Sequence, residues 1–196
     1  MRRRILVIFI FMAWAWQGCE QAPRESRGYF DSLVSANASL LLSRNASVFK
    51  ETRVGAKRDV RNFVPDSASW QRELEIFRQL DIFDKPAYRG AYEVVRGQKD
   101  TRSNLQITEY RAVRSAPVRL LRFYYLDTPG QLKKVEAAYH EANALYDTER
   151  RLSLSLEDFH GTPLLSKYTL TGRQQIVLSD SVTYSIEARV DATPKH

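Results

Sequence analysis

Seven runs rich in apolar, β-branched and aromatic residues fill the second half of the chain, and they constrain the fold more than any other feature. Turn signals separate them: Asp-Thr-Pro-Gly at 127–130 suits a type II turn, Ser-Asp at 179–180 is short enough for a two-residue hairpin, and 157–163 is predicted to form a longer loop. Strands joined by such short links are antiparallel neighbours, so we predict a β-meander. The predicted strands span 88–96, 105–113, 118–127, 131–141, 145–156, 164–178 and 181–191.

The last of these strands shows the clearest alternation of apolar and polar residues. One set of alternate positions is polar or charged, which indicates a sheet with one buried face and one face in water. The other set is apolar and is predicted to face the core: Val182, Tyr184, Ile186, Ala188 and Val190.

The first part of the domain predicts two helices and a hairpin. Helical spacing of apolar residues extends over 29–44, and Asn45 fits its end. Segments 48–54 and 57–64 flank a Gly-Ala pair and predict a hairpin, whereas Asp66 or Ser67 can cap a second helix with Trp70, Leu74, Phe77 and Leu80 on one face. The expected fold is α+β: an antiparallel meander of seven to nine strands, able to curl towards a half-barrel, covered by two N-terminal helices.

The chain opens with a segment typical of a secretory signal. Three arginines precede twelve apolar residues, 5–16, and twelve residues at about 1.5 Å each are too short for a hydrocarbon core of about 30 Å. Gly18 directly precedes Cys19, the only cysteine of the chain. One cysteine cannot form an internal disulfide, and a free thiol beyond the cytoplasm would be a liability.

This junction resembles bacterial lipoprotein signals, and its looser form, with Trp16 and Gln17 before Gly18, resembles those of the Bacteroidota. The resemblance implies that Cys19 becomes the first mature residue and carries acyl chains such as palmitate. An ordinary cleaved signal with an incidental cysteine, or a retained amphiphilic anchor, are the alternatives. The lipoprotein interpretation divides the chain into a signal peptide (1–18), a lipid anchor and tether (19–27) and a single domain (28–196).

A second resemblance rests on the middle of the chain. A helix with Trp70 near its start, the segment 81–84, a Lys-Pro-Ala sequence at 85–87 and a run of strands follow one another in the same order in a set of uncharacterised Bacteroidota lipoproteins. Surface-exposed members of that group tend to carry an acidic run after the cysteine. Here only Glu20 follows Cys19, so we expect a domain in the cell envelope that faces the periplasm.

Composition and charge limit the possible partners. The chain has 43% hydrophobic and 27% charged residues, which is typical of a globular domain. Its formal charge is +7, and removal of three arginines with the signal leaves 27 basic and 23 acidic residues, a net charge of +4. The basic residues are scattered among acidic and apolar ones, so we expect no nucleic-acid partner.

No motif for catalysis or for a cofactor emerges. The histidines are His140, His160 and His196, and none has a second metal ligand at helical or strand spacing, so we expect no metal site. A nucleophile elbow and phosphate-binding glycine loops are absent from the sequence. A carboxylate pair such as Glu149 with Glu157 is more typical of a solvated strand face than of a glycosidase, so we predict a protein that is not an enzyme and needs no cofactor.

Tyrosines and arginines within the strands leave two interpretations open. The aromatic residues fit core and cross-strand packing, or else an apolar groove. The arginines can extend to water, or meet a buried acid or an anionic headgroup. These residues are Phe123, Tyr124, Tyr125, Tyr139, Tyr146, Tyr168 and Tyr184, with Arg119, Arg122, Arg150 and Arg151.

Two functions fit these features. The first is a non-catalytic envelope lipoprotein whose domain, held at the membrane by acyl chains, binds a partner protein. The second is a carrier of a lipid or other apolar ligand, because a half-barrel closed by helices resembles, at the level of fold, the periplasmic carriers that shelter acyl chains. The carrier predicts an apolar cavity between sheet and helices, whereas a solidly packed layer favours the interaction domain.

Overall fold

The computed structural model describes residues 28–192 and contains two helices and nine strands. The helices are α1 (Tyr29–Ser43) and α2 (Ser67–Arg78), and a short 3-10 turn covers Pro86–Tyr88. The strands are β1 (Ser47–Val54), β2 (Lys57–Phe63), β3 (Tyr92–Lys99), β4 (Gln106–Ala112), β5 (Val118–Tyr125), β6 (Leu132–Ala142), β7 (Tyr146–Phe159), β8 (Thr162–Ile176) and β9 (Val182–Asp191).

All nine strands form one open antiparallel sheet in the order β2-β1-β9-β8-β7-β6-β5-β4-β3. Strands β3 to β9 follow the chain as a meander, and the early hairpin joins through β1, which places Val48 opposite Val190 of β9. Strands β2 and β3 are therefore the two edges of the sheet. The predicted α+β class, with an antiparallel meander and two N-terminal helices, is confirmed.

Both helices form where capping and apolar spacing predict them. Asp66 is the N-cap of α2, and its carboxylate accepts a hydrogen bond from the backbone N–H of Ser69 at 2.7 Å. Helix α1 follows Gly28, whose φ of 74° lies in the left-handed region that glycine adopts without strain. The helices bury their apolar faces on one side of the sheet, which we call the inner face; the opposite side is the outer face.

The core lies between the helices and the inner face. Its largest fully buried side chains are Trp70, Phe30, Phe77 and Phe123, followed by several leucines and valines. Burial of a large apolar side chain contributes about 1.5–3 kcal/mol, so this layer dominates the stability of the domain. All members of the core cluster lie between Phe30 and Ala188, and a chain that begins at Glu20 retains every one of them.

One buried polar side chain links α1 to the sheet at an irregular point. The Asn37 side chain donates to the carbonyl of Leu33 at 3.0 Å and accepts from the backbone N–H of Leu165 at 2.7 Å. The register between β7 and β8 shifts there, between Ser155 and Leu156. Asn37 therefore provides the acceptor for an amide at the irregularity, and this explains a polar residue on the buried side of α1.

Three turn predictions are wrong in detail. The expected loop at 157–163 is instead the continuation of β7 and β8, joined by His160 and Gly161, both with positive φ (50° and 81°) as tight hairpins require. The connection before β9 covers 177–181 rather than two residues. A hydrogen-bonded turn does form from Thr128 to Gln131 (2.9 Å), but Gly130 has no positive φ, so the turn is not type II.

Within residues 28–192, neither helix has the length and apolar character needed to cross a bilayer. The predicted signal, the lipid attachment at Cys19, the tether and His196 lie outside the described residues.

Candidate binding cleft

A cleft of about 680 Å³ lies between α2 and the inner face of hairpin β1–β2. Strand alternation creates it, because Lys50 and Thr52 of β1 share a face with Val48, and the register places Arg61 and Asp59 of β2 directly opposite them. Helix α2 covers β8 but leaves most of β2 exposed. The polar ends of the two strands therefore face open space instead of core.

Lys50 and Glu73 form the floor of the cleft, and Tyr168, which is buried and does not line the cleft, supports them through a hydrogen bond. The Lys50 Nζ lies 2.9 and 2.7 Å from the two carboxylate oxygens of Glu73, and the side chains are only 21% and 16% exposed. The Tyr168 hydroxyl, on the neighbouring part of the sheet, donates to the same carboxylate. Burial and this hydrogen bond raise the pKa of Tyr168, so it remains a neutral donor at physiological pH.

The rim of the cleft carries further charge. Arg61 Nε lies 2.7 Å from Asp59, and Arg72 of α2 donates to the Ser69 hydroxyl at 2.9 Å. Lining cations (Lys50, Arg61 and Arg72) exceed lining carboxylates (Asp59 and Glu73) by one. The cleft thus suits a polar partner that carries at least one carboxylate, since Arg72, among the described residues, is attracted at longer range by Asp66 and makes no close ion pair.

Neither His140 nor His160 lines this cleft, and its hydroxyl groups, from Thr52 and Ser69, face lysine, arginine and carboxylate side chains. General-base activation of a hydroxyl nucleophile typically uses an adjacent histidine or a neutral lysine. Lys50 is instead engaged in an ion pair with the Glu73 carboxylate at 2.7 Å. The arrangement is suited to binding by charge and hydrogen bonds.

The carboxylates considered for glycoside hydrolysis do not meet. Glu149 and Glu157 lie eight residues apart on β7, a separation of about 26 Å at about 3.3 Å per residue. The two carboxylates of a glycosidase lie within about 10 Å of each other. The interpretation of these acids as a solvated strand face agrees with their exposure.

His140 has two potential metal-ligating neighbours, Asp147 and Glu149, which the sequence spacing did not reveal. The β6–β7 register sets it opposite Glu149 and beside Asp147, and the three ligand atoms lie within 4.8 Å of one another. His140 Nε2 is 3.2 Å from Asp147 Oδ1. This hydrogen-bonded pair on an exposed hairpin accounts for the geometry, and we assign no ion to it; the signal that could have revealed it is the hairpin register.

Aromatic residues of the strands mostly pack in the core. Phe123 is fully buried and makes edge contacts with Tyr29 and Tyr110, at centroid distances of 5.4 and 6.0 Å. Tyr168 packs edge-on against Phe77 at 5.9 Å. Packing thus accounts for these rings, and they form no continuous groove with the polar cleft.

Of the four strand arginines singled out in the sequence, Arg122 meets an acidic partner and Arg150 a polar one. On the outer face, Arg122 and Arg111 lie 2.7 and 2.6 Å from the carboxylate of Glu109, which is only 6% exposed. Burial pushes the pKa of Glu109 upwards, but the two guanidinium hydrogen bonds outweigh it and hold that pKa below its ordinary value. Arg150, on the inner face, donates to Gln79 at 3.3 Å.

The layer between helices and sheet is filled by the core side chains, among them Trp70, Phe77 and Leu121 with no exposed surface. The cleft beside α2 opens to solvent and is lined mainly by polar residues. Neither the packed layer nor the polar cleft therefore provides the apolar cavity that a lipid carrier requires.

Comparisons with known proteins do not place this chain in a family: no protein-family model, no curated protein and no solved structure matches it.

Proposed function

We propose that the chain is a lipoprotein of the bacterial cell envelope, anchored through Cys19, whose domain binds a partner protein and catalyses no reaction. The observation that carries the anchor is the N-terminal segment, in which three arginines and twelve apolar residues lead to Gly18 and the single cysteine. Several acyl chains at about 0.8 kcal/mol per buried CH₂ would hold the domain stably at the membrane. The resemblance to Bacteroidota lipoproteins favours a domain that faces the periplasm.

The domain's role as a binding module rests on the contrast between its layers. A packed core fills the space where a carried lipid would lie, whereas the cleft between α2 and hairpin β1–β2 is open and charged. Lys50, Glu73 and Tyr168 fix its floor by mutual hydrogen bonds, so the cleft is preorganised. A partner segment with a carboxylate directed at Arg72 fits this surface.

Membrane fractionation tests the anchor. We expect the wild-type chain in the membrane fraction, and the Cys19→Ser variant, which cannot be acylated, in the soluble fraction. Recovery of that variant with the membrane at the wild-type level would contradict the proposal.

Site-specific photocrosslinking in the intact envelope tests the cleft. A photoreactive residue at position 61, in the cleft, is expected to give a protein adduct of defined mass, whereas the same residue at Lys99 on the opposite edge strand is not. Arg72→Glu should abolish the adduct at 61 because it reverses the excess charge. Equal adducts at both positions, insensitive to residue 72, would exclude the cleft as the binding surface.

A native mass spectrum of residues 20–196 separates the binding module from the carrier. We expect the bare polypeptide mass after gentle purification from a periplasm. A discrete added mass of lipid size would make the carrier the better account.

A further inference from the structure

Six exposed aliphatic side chains, including the two most exposed among the described residues, lie together at one end of the sheet. We call this end the apolar tip, and its members come from three hairpins. Half of the twelve exposed large hydrophobic residues in 28–192 belong to it: Val54, Leu145, Ile176, Val177, Leu178 and Val182.

Backbone pairing joins these hairpins into one surface. The N–H of Val177 donates to the carbonyl of Leu145 at 2.9 Å, which links the β8–β9 connection to the β6–β7 hairpin. On the other side, Val54 stands opposite Tyr184 of β9. The three chain reversals therefore lie side by side at one end of the sheet, and each carries exposed aliphatic side chains.

Leu178 has two features that folding does not explain. Its side chain is 103% exposed, so it makes no packing contact, and its φ of 64° places it in the left-handed region that leucine rarely adopts. Glycine or asparagine would suit this backbone better. A leucine here costs stability and lowers solubility unless it contacts something outside the domain.

We infer that the apolar tip inserts into the interface of the lipid bilayer. All six members of the tip are aliphatic, whereas the strongest anchors of protein interfaces are aromatic residues and arginine seated in pockets. A bilayer requires only apolar side chains that can leave water one by one. Charges next to the tip nearly balance, with Arg53, Lys57, Arg58 and Arg173 against Glu51, Asp147 and Asp180, so we expect binding through apolar contact with little dependence on salt.

Chain length places a membrane within reach, and here the inference rests on the proposed anchor. Eight residues lie between Cys19 and Gly28, and the nine Cα–Cα steps of an extended chain span at most about 31 Å. Tyr29 packs on Phe123, and the cross-strand pairs that start at Phe123 lead across the sheet to Tyr168. Ile176 of the tip lies eight residues beyond Tyr168 on β8, so the start of α1 and the tip are about 26 Å apart along the strand direction. Acyl chains at Cys19 and the tip can therefore contact the same bilayer, and tethering makes even weak insertion effective.

Vesicle flotation with residues 20–196 tests the tip without the anchor. The vesicles contain phosphatidylethanolamine and phosphatidylglycerol, or phosphatidylcholine alone. We expect binding to both, retained in high salt, and a loss of about tenfold or more in the vesicle-bound to free ratio for Leu178→Asp. Val113→Asp, at another exposed valine outside the tip, is the matched control and should bind as the wild type does.

A fluorescent reporter keeps the test independent of solubility changes. Leu178→Trp should show a blue shift of emission on vesicles, and Val113→Trp should not. Wild-type binding no stronger than that of Leu178→Asp, or the same loss for both Asp variants, would overturn the inference. So would an oligomer that Leu178→Asp dissociates without any vesicle binding, because the tip would then join copies of the chain. Since the anchor is absent here, failure of the tip and failure of Cys19 acylation are separate results.

Discussion

Gly172→Ala is predicted to destabilise the domain although glycine to alanine in a strand is ordinarily favourable. A Cβ at Gly172 would lie 2.6 Å from the carbonyl oxygen of Glu149 and 2.6 Å from the Cζ and Oη atoms of Tyr184. The glycine pairs with Arg150 of β7 and Tyr184 of β9, so the tyrosine ring covers the space that a side chain would need. The ring can swing away, but the carbonyl belongs to a strand of the sheet.

The magnitude follows from these two contacts. Overpacking of this kind costs about 1–3 kcal/mol, and the usual gain from replacing a strand glycine is about 0.5–1 kcal/mol. We expect a net loss of about 1 kcal/mol and a fall in Tm of about 2–4 °C for a domain of this size. In a Tyr184→Ala background the cost of Gly172→Ala should shrink but not vanish, because the Glu149 carbonyl remains.

Urea unfolding of residues 20–196, followed by fluorescence, measures this effect. Trp70 is the only tryptophan in that segment and is fully buried, so its emission reports unfolding directly. Gly130→Ala is the matched control: the nearest atom to its new Cβ is 3.9 Å away, and we expect a change within about 0.5 kcal/mol. A Gly172→Ala variant as stable as the wild type would refute the account of this part of the sheet.

Three further substitutions test buried polar groups. Arg122→Ala should raise the pKa of Glu109 towards its ordinary value. A carboxylate with a lowered native pKa stabilises the fold until the pH falls through that pKa, so acid unfolding of the variant should begin at a higher pH than that of the wild type. Circular dichroism as a function of pH measures this shift. Asn37→Ala leaves the Leu165 amide without its acceptor and should cost about 1–3 kcal/mol in urea unfolding. Thr148→Val should leave stability unchanged or raise it by about 1 kcal/mol, because the buried Thr148 hydroxyl has no hydrogen-bond partner among the described residues.

Control variants test the first two of these predictions, and the third has a direct contradicting outcome. Arg61→Ala removes an exposed ion pair and should leave the acid midpoint in place; an equal shift would remove the special role of Glu109. Ser39→Ala, on the exposed side of α1, should change stability by at most about 0.5 kcal/mol. A loss of stability in Thr148→Val would mean that the hydroxyl has a partner after all.

Local sequence patterns predicted most of the fold. The Asp66 cap and the helical spacing of Trp70, Leu74 and Phe77 defined α2. Period-two alternation correctly placed Tyr184, Ile186, Ala188 and Val190 against the core, but the same prediction for Val182 is wrong, because Val182 begins β9 and is 45% exposed. These signals are local, since a cap and a stripe depend on neighbours within a few residues. The predictions of turns were wrong where the turn depends on the φ angle of a residue other than glycine. No local sequence signal shows that His160 takes a positive φ, which allows β7 and β8 to continue up to the turn.

The pairing of strands that lie far apart in the chain could not be predicted from the sequence. The pairing of β1 with β9 joins segments more than 130 residues apart, and the cleft exists only because Lys50, Glu73 and Tyr168 are brought together from β1, α2 and β8. The apolar tip likewise combines three hairpins whose sequences show only ordinary strand ends. Composition could indicate a binding domain, but the positions of its charged cleft required the register.

The mass of the native protein extracted from membranes tests the central claim most directly. The account predicts a chain that begins at Cys19 and carries the added mass of a lipid-modified N-terminal cysteine, with the acyl groups located on the first peptide. A chain that begins at another residue with an unmodified cysteine, or one that retains Met1, would contradict it.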